Sequence, residues 1–187
     1  MPAVLDLATA NFRNRSIDVI AHASTTSSYV LGRRAETALA EHIARQCNVP
    51  VVASGAAAAA GLRACAVQRV QLIHPPWFDD VFDALGVTYF GDHGFEAWVS
   101  KARSLPGDPA HVTPEHIVQW VVTHASDRAE AIFLAGTGFR TANAIDELER
   151  RTGRTVIGAN QALLREILTV TNTAQTINGY GRLLRTD

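Results

Sequence analysis

Residues 17–28 read IDVIAHASTTSS. Ile17 to Ala23 is a short apolar run of strand length, the pattern of a strand buried on both faces. It stops abruptly in the hydroxyl residues Ser24 to Ser28. Leu31, Ala35, Ala38, Leu39, His42 and Ile43 then recur at three- and four-residue spacing. That spacing predicts an amphipathic helix ending near Asn48-Val49-Pro50. Strand, polar stop, helix is the unit of a parallel α/β fold.

The unit recurs along the chain. Val51-Val52-Ala53 reads as a second strand, and Gly55 opens an alanine-rich helix to about Ala66. Val70 to Ile73 is a third strand, stopped by His74-Pro75-Pro76, and Phe78, Val81, Phe82 and Leu85 form one helical face. Val87 to Phe90 reads as a fourth strand, and residues 91–112 as less regular chain. Thr113-Pro114-Glu115 has the cap-then-proline order of a helix start. Ala131 to Ala135 (AIFLA) is a fifth strand running into Gly136-Thr137-Gly138, with a helix after it that turns Ile145 and Leu148 inward. Val156 to Ala159 is a sixth strand, and Asn160 is placed to cap the last helix. The expected fold is α/β, with parallel sheets flanked by helices on both faces.

Composition narrows the function classes. The chain has 187 residues, 47% hydrophobic and 19% charged, with a net charge of −1. That balance fits a globular protein and excludes global disorder. Near-neutral charge leaves no electrostatic footprint for nucleic acid. The longest charge-free apolar stretch, Cys47 to Leu62, is interrupted by Pro50 and Ser54 and is shorter than the ~20 residues of a spanning helix, so no membrane is expected. The N-terminus lacks the basic-then-apolar order of a secretory signal, and the expected location is cytoplasmic. Cys47 and Cys65 show no Cys-x-x-Cys spacing, and the seven histidines show no i,i+4 metal pair. Neither a disulfide framework nor a metal site is expected.

Ligands of open α/β folds sit beyond the carboxyl ends of the strands. Ser24 to Ser28 places hydroxyl donors beside the unpaired amides of a helix start, an arrangement suited to a carboxylate or phosphate. The bland alternative is an N-cap with solvated neighbours. Gly136-Thr137-Gly138-Phe139-Arg140-Thr141 lets a ligand approach the backbone closely, but Thr141 stands where a dinucleotide loop has its third glycine. His74 beside two prolines is the most interesting single base, although a lone histidine is more often structural.

The two loops and their order resemble the aspartate/glutamate racemase superfamily, in its maleate cis-trans isomerase and arylmalonate decarboxylase branch. The matching stretches are DVIAHASTTSS at 18–28, PVVASGAAAAAGLRACAVQRVQLIHPP at 50–76, AIFLAGTGFRTANAIDELERRTGRTVIGANQALL at 131–164 and GYGRLLR at 179–185. The resemblance implies two pseudo-symmetric α/β lobes, a cleft between them, and chemistry that needs no cofactor. In the family each lobe presents a strand-end loop with a cysteine-threonine pair. Hydroxyls and amides hold a carboxylate and stabilise an enediolate-like charge, and thiols move the proton. Carried onto this chain, the first cysteine falls on Ser24 and the second on Gly136, so both thiols are replaced.

The resemblance thus implies Ser24 at the first catalytic position. Thr25, Thr26, Ser27, Ser28, Gly136 and Thr137 would bind substrate, with no metal. The ligand would be a small carboxylic or dicarboxylic acid, turned over by isomerisation, racemisation or decarboxylation, or bound without catalysis. The implied division assigns residues 1–46 and 154–187 to the first lobe and 47–153 to the second. Only one helix-like stretch, Leu5 to Arg13, precedes Ile17, so the first lobe is expected to be incomplete. Uncovered sheet edge and apolar surface then predict a homo-oligomer.

Overall fold

The computed structural model describes residues 9–13, 15–173 and 175–185. The part of the expected Leu5–Arg13 helix before Thr9 lies outside them. The strands are β1 (Ile20–His22), β2 (Val51–Ala53), β3 (Arg69–His74), β4 (Glu96–Lys101), β5 (Ala131–Leu134) and β6 (Thr155–Gly158). The helices are α1 (Thr25–Cys47), α2 (Ser54–Ala64), α3 (Asp80–Asp92), α4 (Pro114–His124), α5 (Ile145–Thr152) and α6 (Ala159–Val170). All strand pairs are parallel.

Two sheets form, β1-β2 and β4-β3-β5-β6. Val51–Ala53 pairs with β1 and Thr155–Gly158 pairs with β5. β5 and β6 are buried at every residue, as expected of strands covered on both faces.

The helix boundaries follow local chemistry. Thr113 caps α4, accepting from the His116 amide, with Pro114 at the first helical position. Asp79 caps α3 by accepting from the Phe82 amide. Asn48, in the left-handed region at φ 55°, ends α1. Helix α1 is broken at Gly32, whose φ and ψ are non-helical.

One strand is misplaced by the sequence reading. Val87 to Phe90 lies inside α3, and the fourth strand is Glu96–Lys101. Its β-branched and aromatic residues favour a strand locally. Tyr89 and Phe90 are instead the buried face of a helix continuous with Phe82 and Leu85, packed in the core beside Tyr29 and Phe133. The expected Asn160 cap is also corrected. Gly158 is the N-cap of α6, and the Gln161 side chain accepts from its amide.

A buried polar chain links α1, β3 and α3. The Tyr29 hydroxyl lies 3.3 Å from His74 Nε2, and His74 Nδ1 lies 2.7 Å from Asp83 Oδ1. Lys101 Nζ approaches the other Asp83 oxygen at 3.5 Å. Nearby, the Tyr89 hydroxyl donates to Glu36 on α1. These contacts satisfy polar groups that would be costly to bury alone.

Candidate functional site

The first loop is built by a helix cap. Ser24 has extended backbone, and its hydroxyl accepts from the Ser27 amide at 3.2 Å. The same hydroxyl donates to Ser27 Oγ at 2.8 Å. Thr25 follows as the first residue of α1, where no intrahelical carbonyl reaches the amides. Thr25 is 2% exposed, and its hydroxyl has no hydrogen-bond partner among the described residues. That is uncommon for a buried polar atom.

The second loop comes off β5. Gly136 turns at φ +94°, a region that L side chains adopt only with strain. A Cβ there would sit 3.4 Å from Phe78 and from Pro75. The loop is held from two sides. The Thr137 hydroxyl donates to the Ala23 carbonyl at 3.4 Å, and Asn160 Nδ2 donates to the Thr137 carbonyl at 3.0 Å.

A third loop, after β3, completes the enclosure with aromatic rings. Phe78 stands edge-on to His74 at 5.2 Å and tilts against Phe82 at 5.6 Å. Trp77 meets Phe139 edge-on at 5.8 Å. Ser24, Thr25, Thr26, Trp77, Phe78, Phe82, Gly136, Thr137 and Gly138 together line a cleft of about 300 Å³. Larger hollows lie beside Arg33 and Asp92 (about 580 Å³) and between α1 and α6 (about 390 Å³). Neither is lined by the Ser24 or Gly136 loop, so position at the strand ends, not volume, singles out this cleft.

The structure thus brings together Ser24, Thr25, Thr26, Gly136 and Thr137 from opposite ends of the sequence. It does not bring Ser27 and Ser28 to the cleft wall. Ser27 is occupied by Ser24. Ser28 is fully buried, accepting from the Gly55 amide at 3.0 Å and donating to the Ser24 carbonyl at 3.2 Å. It joins α1 to α2. His74 is likewise structural. It is fully buried, and burial outweighs Asp83 in lowering its pKa. Its two ring nitrogens are taken up by Asp83 and Tyr29. Trp77, Phe78 and Phe82 were not singled out from sequence as cleft residues. Their place directly after the His74-Pro75-Pro76 strand end was the available signal.

Strand-end loops from the first and second sheets thus meet at one cleft. A family model described as arylmalonate decarboxylase matches residues 2–184. The chain belongs to this family. Solved structures agree in fold. Maleate isomerase from Pseudomonas putida S16, with maleate, superposes at a TM-score of 0.87 and 22% identity, over 99% of this chain and 76% of that one. Unliganded arylmalonate decarboxylase gives 0.87 and 22%, over 98% and 82%. A cysteine-to-serine mutant of Nocardia farcinica maleate cis-trans isomerase, with a covalently bound succinylcysteine intermediate, gives 0.86 and 23%, over 100% and 79%. No curated protein shows significant sequence similarity. The α/β fold expected for the family is therefore the one adopted, and among the described residues no helix is long and apolar enough to cross a membrane.

Proposed function

We propose that this arylmalonate decarboxylase family member binds a small carboxylic acid in the cleft between the Ser24 and Gly136 loops, without a cofactor. The observation that carries the reading is Thr25, a residue of the cleft lining whose buried hydroxyl has no hydrogen-bond partner among the described residues. Thr25 stands in the first helical turn, whose open amides are donors suited to a carboxylate. Thr26 and the backbone of Gly136 and Thr137 complete the polar lining. Ser24 and Gly136 stand at the positions that the resemblance gives to the family thiols.

The second reading, binding without turnover, is favoured by the lining itself. None of its side chains titrates near neutrality, and the Ser24 hydroxyl is engaged as a helix cap. General acid–base work needs a group whose pKa lies near the operating pH.

Calorimetric titration with small carboxylates, alongside turnover assays with maleate, aspartate and an arylmalonate, tests both. Binding that is weakened by Thr25→Val supports the site. Turnover abolished by Ser24→Ala identifies an enzyme, and binding without turnover identifies a receptor. Absence of any binding removes the proposal.

A further inference from the structure

Glu36 is a buried acid that the cleft leaves unused. It is 3% exposed on α1. One carboxyl oxygen, Oε2, accepts from the Tyr89 hydroxyl. Burial and the nearby Glu36 charge push the Tyr89 pKa up, so the phenol stays a donor. The other oxygen, Oε1, is buried with no hydrogen-bond partner among the described residues. A buried acceptor left unmet is costly. Glu36 lines two hollows. The smaller, about 170 Å³ and walled by Ile20, Leu39 and Ile43, holds no other acid. The larger, about 390 Å³, lies between α1 and α6, with Glu41 and Glu166 joining Glu36 in its lining. Apart from Thr37 and Pro50, the rest of that lining is alanine and valine, and it includes no lysine, arginine or histidine among the described residues. Glu41 has Arg45 at 3.9 Å, but both side chains are largely exposed, and such a pair is worth little in water.

We infer that the hollow between α1 and α6 binds a primary alkylamine in its ammonium form, the ammonium pairing with Glu36 and the alkyl chain lying on the alanine and valine surface. The volume falls in the range of small-molecule sites, which are mostly apolar with a few convergent polar groups. An ammonium brings three donors and a charge opposite to that of the three acids. A neutral apolar molecule would leave Glu36 Oε1 without a donor, and an anion would meet three like charges. The hollow shares no residue with the cleft of the Ser24 and Gly136 loops. Its failure would therefore leave the carboxylate site standing.

Hexylamine, 1-hexanol and hexanoate are the probes, titrated into the full chain by calorimetry at neutral pH. Hexylamine is expected to bind at least about tenfold more tightly than either of the others, the margin of a charge-assisted hydrogen bond. Glu36→Gln keeps the side chain's size and an acceptor for Tyr89, and is expected to weaken hexylamine about tenfold while leaving hexanol within about twofold. Glu166→Gln, at a half-buried position on α6, gives the same reading if Glu36→Gln folds poorly, with a loss of about threefold expected. Ala44 lines the larger hollow and not the smaller. Ala44→Leu is therefore expected to weaken hexylamine at least about fivefold by filling the space. Hexanol or hexanoate binding as tightly as hexylamine, or no binding by the amine, overturns the proposal. Unchanged amine affinity in the charge variant overturns the pairing with Glu36, and unchanged affinity in Ala44→Leu overturns the location.

Discussion

The Ser28 hydroxyl accepts a 3.0 Å hydrogen bond from the Gly55 amide, so the first turn of α1 is fastened to the start of α2. The contact needs a bare α-carbon. A Cβ on Gly55 would lie 2.6 Å from Ser28 Cβ and from the Tyr89 hydroxyl oxygen, both in the buried interior. Gly55→Ala is expected to lower stability by about 1–3 kcal/mol through overpacking. Ser28→Ala is expected to cost about 1–3 kcal/mol by orphaning a buried amide. Urea midpoints measure both, and an unchanged midpoint in Gly55→Ala would show that the helices separate freely.

Ser24 is first a helix cap. Ser24→Ala should cost about 1 kcal/mol by leaving the Ser27 amide without its acceptor. Gly136→Cys should cost about 1–2 kcal/mol, because φ of +94° is unfavourable for an L residue. Denaturant unfolding of each variant is the check. Wild-type stability in Gly136→Cys would mean that the loop relaxes to negative φ.

Two histidines set an acid limit. Burial lowers the pKa of His74, and burial with Arg63 and Arg33 nearby holds His93 down at about 4. Both rings are neutral in the folded protein at pH 7, whereas the unfolded chain takes up protons near 6.5. Their contribution is complete above about pH 6.5 and is lost as pH falls, for His93 toward about 4. The urea midpoint should therefore fall between pH 7 and pH 5, and His93→Gln should flatten part of that slope. A midpoint that rises on acidification contradicts the burial account.

Asn160 governs the second loop from a neighbouring strand end. Its side-chain amide is bound to the Thr137 carbonyl. Asn160→Ala should weaken carboxylate binding about three- to tenfold with little change in melting temperature, since the contact is exposed. Asn160→Asp should weaken it further, because a carboxylate faces the carbonyl. Equal affinity in all three proteins would remove Asn160 from the site.

Much of the fold was legible because its signals are local. The Ser24–Ser28 stop, the Thr113-Pro114 helix start and the AIFLA strand each depend on a few adjacent residues. The fourth strand was not legible. Val87 to Phe90 has strand-forming residues, but helix or strand there is settled by packing against Tyr29 and Phe133, and a short apolar run does not distinguish the two. The choice of sheet for β2 and β6 was not legible for a similar reason. Strand pairing partners β2 with β1 and β6 with β5, and nothing in either strand's own residues names its neighbour.

For the cleft, the sequence by itself determined which residue types stand at the strand ends. Ser24 and Gly136 stand where the resemblance places thiols, with threonines beside them. Only the tertiary structure decided what those residues do. Hydroxyls that look equivalent along Ser24 to Ser28 are separated by helical geometry, which points successive side chains about 100° apart. Ser24 turns back to cap, Ser28 turns inward to Gly55, and Thr25 is left in the cleft lining without a hydrogen-bond partner among the described residues. The aromatic wall opposite is drawn from a third loop, and no spacing along the chain connects it to the other two.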